Sequence, residues 1–593
     1  MRKRSIFGSL QPGGVIPDLF IKLLPVQIVM MAIGSINSII DGAAATNFIG
    51  PAAPAATALF FPLLMLMQTV STVFLSGSQI LCGKLMGREQ TDHSAGVFSL
   101  DMALVFGFGA LLMLLCLLFP GSLSHLLGAE ENLKADLKAY ILGYAPGIIP
   151  SLMVSHLTAF MQLERQEKRT YIGMTVMIVS NVVLDVVFVK VLHLGMFGLG
   201  LATTVSNFLY VFILLSYYFS GKAMIRFSLS SVHFGDISEI LRIGIPGALS
   251  QLAQVLRSVV LNRIMLAYAG QYGVAAFSAV YSFGTVFVAG TMGIANATRL
   301  LVSVYAGEED RAGLITIMHM AVRWGALMNS LFALALILCS GLSTSIFYQP
   351  DAGEVYRMTH MGFLIFPFSI PCSCIFCSYV SYYQSMGRMK IVNLLSVMDG
   401  VVGVILFSLI LTPFIGMNGV WLAHVLNGVL TLSTVLVCVR VCRGSFPRNI
   451  EDTLLFQEHF GVQDKDRMQI SVNRMEDVIN ISENVVRFCR EHGLDRKRGM
   501  YAGLAVEEMC GNILQHGFSD GKRHRVDVRV ILRGEDVMIR LKDDCPAFNP
   551  KEIEQLFDPE DPSHNVGIRL VSRISRDMTY QNTLGLNVLT MVL

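Results

Sequence analysis

Apolar runs of about 20 residues, the length a helix needs to cross the hydrocarbon of a bilayer, follow one another through most of this chain. Backbone placed in hydrocarbon must satisfy every N–H and C=O within its own segment, so runs of this kind fold as helices. Twelve can be placed, near residues 17–45, 54–80, 95–119, 138–161, 170–192, 198–219, 240–268, 275–303, 314–341, 357–382, 391–413 and 419–442. The composition agrees with a bilayer protein: 53% of the residues are hydrophobic, only 15% are charged and the mean hydropathy is +0.57. The pattern ends near Val439, and from Phe446 charged residues appear in nearly every turn. A soluble domain follows.

Positive charge is divided unequally between the two sets of connections. One set carries sixteen basic residues, among them Arg2, Lys3, Arg4, Lys84, Arg88, Arg165, Arg169, Arg226, Arg311, Arg388, Arg443 and Arg448, whereas the other offers only Lys134, Lys138, Lys190 and Arg357. By the positive-inside rule this predicts a multi-pass protein of the cell membrane, an inner membrane in bacterial terms, with both termini cytoplasmic. The first apolar run follows Met-Arg-Lys-Arg without a small-residue cleavage site and reads as a retained first span. A net charge of +2 is too small to imply a nucleic-acid partner. The eleven cysteines read as reduced packing residues, and the Cys372, Cys374, Cys377 cluster has no His or Asp beside it to complete a metal site.

The membrane part repeats itself. Pro25 and Pro246, Pro146 and Pro367, Pro150 and Pro371, and Gly195-Met196 and Gly416-Met417 are all 221 residues apart, and a one-residue slip brings Gly87 onto Gly307. Helix-kinking prolines rarely align this way by chance. Six spans per repeat is an even number, so the copies face the same way about an axis along the membrane normal. The stretch from Ser38 to Glu89 (SIIDGAAATNFIG to GKLMGRE), its counterpart from IGIPGALSQ to SVYAGEED, and SNVVLDVVFV at 180–189 resemble MATE (multidrug and toxin extrusion) transporters over about residues 15–442. That resemblance implies an all-α polytopic fold with twelve transmembrane helices in two six-helix lobes, at 15–229 and 230–445. It also implies export of amphipathic, often cationic, small molecules in exchange for H⁺ or Na⁺.

Asp41 falls inside the first span and Asp185 inside the fifth, where an ionised carboxylate facing lipid costs about 2.5–3.5 kcal/mol. An acid there is expected to face the protein interior and to carry a proton or cation. Asn181 stands one helical turn before Asp185 and can bond it or add an oxygen ligand for Na⁺. In the MATE resemblance Asp41, Asn181 and Asp185 are the cation-coupling residues. The repeat partner of Asp41 is Asn262, so coupling is expected in the first lobe. Arg257, midway through the seventh span, and Asn262 are candidate substrate-cleft residues, with Asp399 a possible partner for the arginine. Against each reading stands a plain one: Asp41 caps a helix end, Arg257 snorkels, and most of the 32 methionines pack between helices.

After a linker at 446–465, residues 466–593 run strand, two helices, two alternating strands, the turn DDCPAFNP, a polar loop, the segment NVGIRLVSRI and a last strand. Glu508, Asn512 and His516 recur every four residues on one helix face. This order resembles the GHKL ATP-binding fold, an α/β sandwich, and most closely the serine kinases that act as anti-sigma factors. The resemblance implies that Asn512 ligates Mg²⁺, Glu508 activates the attacking hydroxyl or water, and Asp543 accepts the adenine amino group, with Gly567 in the phosphate loop and a STAS-type antagonist protein as a possible partner. Cys545, Ala547 and Asn565 stand where the family has glycines, so binding of Mg²⁺-ATP is expected to be stronger than turnover. No GxxxxGK[ST] loop is present. The expectation is a cation-coupled antiporter with a regulatory ATP-binding domain, possessing at most weak ATPase or serine kinase activity. The rival is a membrane-anchored serine kinase or partner-switching protein whose helices, embedded in lipid, sense a ligand.

Overall fold

The computed structural model describes residues 15–25, 27–28, 49, 53–127, 131–221, 223–228, 230–457, 460–462, 464–518, 524–534, 536–546, 549–550 and 566–593. Residues 15–25 are helical. Ten long helical segments follow: α1 (Ala53–Gly87), α2 (Thr91–Leu118), α3 (Leu133–Leu163), α4 (Glu167–Val191), α5 (Gly195–Tyr218), α6 (Asp236–Gly307), α7 (Arg311–Leu338), α8 (Glu354–Ser385), α9 (Met389–Ile415) and α10 (Met417–Arg443). Among the described residues, nine helices are long and apolar enough to cross a membrane.

The internal repeat read from proline spacing has a conformational counterpart. Pro146 sits in a short 3-10 turn, Ala145–Gly147, inside α3, and Pro367 sits in another, Phe366–Phe368, inside α8. A proline ring cannot supply the N–H of a regular turn, so each helix tightens there and continues at a new angle. Gly195 and Gly416 both adopt positive φ, 55° and 58°, and each opens the helix that follows. The one-residue slip is also visible, because Glu89 and Glu309, 220 apart, are both in the left-handed region.

The loop expected between the seventh and eighth spans is smaller than the spacing suggests. Residues 236–307 are helical on either side of a single break at Gly270, whose φ of 61° with ψ of −157° is a combination essentially confined to glycine. The first arm of α6 and its second arm both pack on α1. Contact is close because glycines remove the side chains between backbones: Gly77 lies against Ile240, Gly244 against Val73, Gly83 against Ser303, Gly87 against Val304 and Gly307 against Lys84, with no room at any of the five for a Cβ.

The soluble part is a five-stranded antiparallel sheet in the order β1-β2-β3-β5-β4, with β1 Arg467–Val472, β2 Val526–Arg533, β3 Asp536–Asp543, β4 Asp577–Thr583 and β5 Leu586–Val592. Three helices, α11 (Glu476–Glu491), α12 (Arg496–Asn512) and α13 (Val566–Ile574), cover one face. Side chains alternate along a strand, so Val526, Val528 and Val530 of β2 and Val537, Ile539 and Leu541 of β3 enter this core with Val485, Val506 and Met509. The alternate residues Asp527, Arg529, Arg540 and Lys542 point the other way, yet they too are buried. What covers them is the end of the membrane helices that carries the basic loops.

The link between the two parts is held firmly. Tyr379 and Tyr383 of α8 bond the side chain and carbonyl of Thr453, Tyr382 bonds the carbonyl of Leu454, and Arg388 bonds that of Leu455. At the other edge the β4–β5 hairpin turns at Leu584-Gly585, both at positive φ. Its tip joins the apolar core at the ends of these helices, with Leu584 N–H donating to the carbonyl of Leu163 at 2.8 Å and Arg165 reaching that of Gly585.

Candidate functional site

The helix α12 starts on Asp495, whose carboxylate accepts the N–H groups of Lys497 and Arg498, and runs on through a wide turn to Gly517. This delivers Asn512 and His516 to the rim of a cavity of about 160 Å³ between α12 and the sheet. Asp543 at the end of β3, Cys545 and Pro546 beyond it, and Tyr580, Asn587 and Leu589 of β4 and β5 complete the walls. Glu508 lies one turn earlier and touches the start of α13, where Gly567 leaves no space for a Cβ beside its carboxylate. The structure therefore places Asn512 and Asp543 in one cavity wall, while Glu508 and Gly567 meet each other at the contact between α12 and α13. Ala547 and Asn565 lie outside the described residues.

Asp543 is fixed in orientation. One carboxylate oxygen accepts from the Asn587 amide at 2.8 Å and from the Cys545 N–H at 3.0 Å, and Asn587 in turn accepts from the Tyr580 hydroxyl at 2.8 Å. Burial pushes its carboxyl above the ordinary aspartate range, partly offset by these donors. An acid held this way suits recognition of an exocyclic amino group. Cys545, where the family pattern has glycine, packs its thiol onto Gly517, so the lost glycine is matched by one on the facing helix. Asn587 and Tyr580 were missed in the sequence because only the strand pairing brings the last strand beside Asp543.

In the membrane part Asn181 and Asp185 are both buried, at 1% exposure. The helix widens into a π turn immediately after Asp185, a departure common where side chains do something other than pack. Neither the nitrogen nor the oxygen of the Asn181 amide has a partner among the described residues. Asp41 lies outside them. Arg257 is half-buried and donates to the backbone carbonyl of Asp399 at 3.2 Å, while the Asp399 carboxylate accepts from Asn427 at 2.8 Å. The arginine thus meets the residue suggested for it, through the main chain. Asn262 is exposed.

A further buried network was not picked out. Asp101 of α2 takes a bond from His156 of α3 at 2.7 Å, and the other ring nitrogen of His156 meets the Ser71 hydroxyl at 3.0 Å, with acid and imidazole both fully buried. The acid inside the third span was a legible signal; its partner on another helix was not.

The polar face of the sheet forms the third constellation. Arg529 pairs with Asp310 at 3.0 Å, Lys542 with Glu308 at 2.6 Å, Arg533 with Glu309 at 2.6 Å and Arg540 with Glu89 at 2.9 Å. Glu89 also accepts the hydroxyls of Thr579 and Thr590. Burial alone would raise the Asp310 carboxyl, but Arg529, Lys542 and the Gly313 N–H outweigh it and hold it below the usual range.

The family described as MatE matches residues 27–191 and again 246–410, the two copies of the repeat, and the histidine kinase-like ATPase domain matches 472–593. The multidrug export protein MepA of Staphylococcus saprophyticus is 21% identical over 416 residues, covering 69% of this chain and 91% of that protein. MepA of Staphylococcus aureus is 24% identical over 253 residues, 42% of this chain and 56% of that one. Among solved structures, a mutant of the Vibrio cholerae MATE transporter VcmN superposes with a TM-score of 0.68 at 16% identity, over 74% of this chain and 99% of that chain. An outward-facing multidrug resistance MATE family transporter gives 0.66 at 19% identity, over 70% and 94%. The two MatE matches together span more than half of the sequence, and this chain belongs to the MatE family of membrane transporters, joined to a histidine kinase-like ATPase domain.

Proposed function

We propose that the chain is a cation-coupled exporter of amphipathic small molecules, built as two six-helix lobes with both termini cytoplasmic, whose ATP-binding domain regulates transport. In this reading the helix at residues 15–25 and the two arms of α6 join the nine long apolar helices to make twelve. The observation that carries it is the buried pair Asn181 and Asp185 in a bundle of this family. Beside the buried Asp185 carboxylate, an amide with no partner among the described residues is costly unless it binds something. A proton or Na⁺ fits that donor set, two hard oxygens one helical turn apart. Asp41 would complete it, and Arg257 and Asn262 would line the substrate cleft.

The gradient supplies enough energy without nucleotide. A membrane potential of 100 mV contributes about 2.3 kcal/mol per charge, and each pH unit about 1.4 kcal/mol. Mg²⁺-ATP would fit the second site, with Asn512 offering the metal an amide oxygen and Asp543 an acceptor for adenine; Glu508 stands where a base would act on a hydroxyl. In proteoliposomes, an imposed pH gradient and an imposed Na⁺ gradient should differ in their ability to drive efflux of an amphipathic cation such as ethidium. Efflux with neither would remove the exporter reading. Calorimetric titration of the full-length protein should show Mg²⁺-dependent ATP binding that Asn512→Ala reduces at least tenfold, because a methyl cannot replace the oxygen ligand. Unaltered binding in that variant would remove Asn512 from the site.

A further inference from the structure

The connection after α1 and the connection after α6 belong to different copies of the repeat, yet one sheet grips both. Arg540 sits between them: one guanidinium nitrogen lies 2.9 Å from Glu89, after α1, and another lies 3.7 Å from Glu308, after α6. Lys542 adds a second contact to Glu308, and Thr579 and Thr590 add two hydroxyls to Glu89. Gln581 reaches the carbonyl of Met86 on the first side, and Arg529 reaches Asp310 on the second. Beneath these contacts α1 and α6 already touch backbone to backbone at Gly87 and Gly307. The sheet therefore lies across the seam between the two halves, at the end where that seam is closed.

Parting the halves at this end would pull Arg540 away from Glu89 or from Glu308. Whichever acid stays behind loses a charge partner; the Glu308 side chain is only 2% exposed, and a buried charge without its partner is strongly unfavourable. The same strands wall the nucleotide cavity with their other face. Lys542 is bonded directly to Asp543, Thr579 to Tyr580 and Leu589 to Thr590, each pair with one member in the cavity wall and the other at the seam. A strand shifts as a unit, so a movement of β3, β4 or β5 that tightens one face displaces the other.

We propose that the ATPase-like domain is a clamp across the two halves of the transporter, with Arg540 as the bridging residue, and that it restrains opening at its own end of the membrane helices. This rests on the regulatory reading given above and states how the regulation is delivered. Neither half alone would explain why one arginine contacts both copies of a repeated loop.

Hydrogen–deuterium exchange on the full-length protein in lipid nanodiscs tests it independently of transport. In Arg540→Ala, exchange in the segments 84–90 and 303–311 should rise together, by at least tenfold. Arg540→Lys keeps the charge but presents a single compact donor group, so it should engage one acid at a time and give an intermediate rise. Arg576→Ala, which removes an exposed pair with Asp536 that touches neither Glu89 nor Glu308, should leave both segments unchanged. Binding of ATP at its wild-type level shows that the domain of each variant is folded; if Arg540→Ala fails that check, Arg540→Lys carries the test. Unchanged exchange in both segments, or a rise in only one, overturns the clamp. Loss of gradient-driven efflux from wild type would instead fall on the exporter reading, leaving the exchange result to stand by itself.

Discussion

Arg529→Met is expected to lower the stability of the docked domain by about 3–5 kcal/mol, the cost of leaving one member of a buried ion pair behind. Asp310 is that member: its side chain is 4% exposed and that of Arg529 is 6%. The double variant Arg529→Met with Asp310→Asn should recover most of the loss, since neutral groups of similar volume can fill the same space. The thermal midpoint of full-length protein reads both. The pair also fixes a pH dependence. Asp310 has its folded pKa held down, so its contribution is complete above the ordinary aspartate range and disappears only as the pH falls through the lowered value. Acid should therefore release the domain well below neutrality. A single variant as stable as wild type would show that this contact contributes nothing.

Asp185→Asn is expected to abolish gradient-driven export while leaving folded protein in the membrane. Asparagine is nearly the same size, so packing around the π turn is kept, but it neither takes up a proton nor neutralises a cation. With Asp185 buried beside Asn181, no surface charge can substitute. A fall in export of a hundredfold or more is the expected reading in vesicles with an imposed gradient, alongside unchanged binding of an amphipathic cation to the purified protein. Export at the wild-type rate would exclude this residue from coupling.

Much of the membrane part was legible because its signals are local. Apolar length marks spans, and paired prolines at constant offset mark the repeat; the 3-10 turns at Pro146 and Pro367 are what that pairing encodes. The break at Gly270 was drawn too wide, since one glycine at positive φ reverses a helix that composition alone would end over several residues. That Asn512 and Asp543 share one cavity was legible through helical spacing and strand order. The buried role of Arg529, Arg540 and Lys542 was not. Alternation along β2 and β3 says which side chains share a face; it does not say what covers that face, and a polar face next to solvent reads the same as one closed by acidic residues some 220 to 450 residues earlier. The pairing of His156 with Asp101 was hidden for the same reason.

In the function proposed, the chain is an exporter that runs on an ion gradient and is restrained by its ATPase-like domain. Efflux of an amphipathic cation from proteoliposomes holding the full-length protein, driven by an imposed gradient with and without Mg²⁺-ATP on the side of the soluble domain, tests this most directly. Export should proceed without nucleotide, its rate should change when Mg²⁺-ATP is added, and Asn512→Ala should keep the export and lose the response. Export that requires ATP, or that responds to ATP equally in Asn512→Ala, would contradict the account.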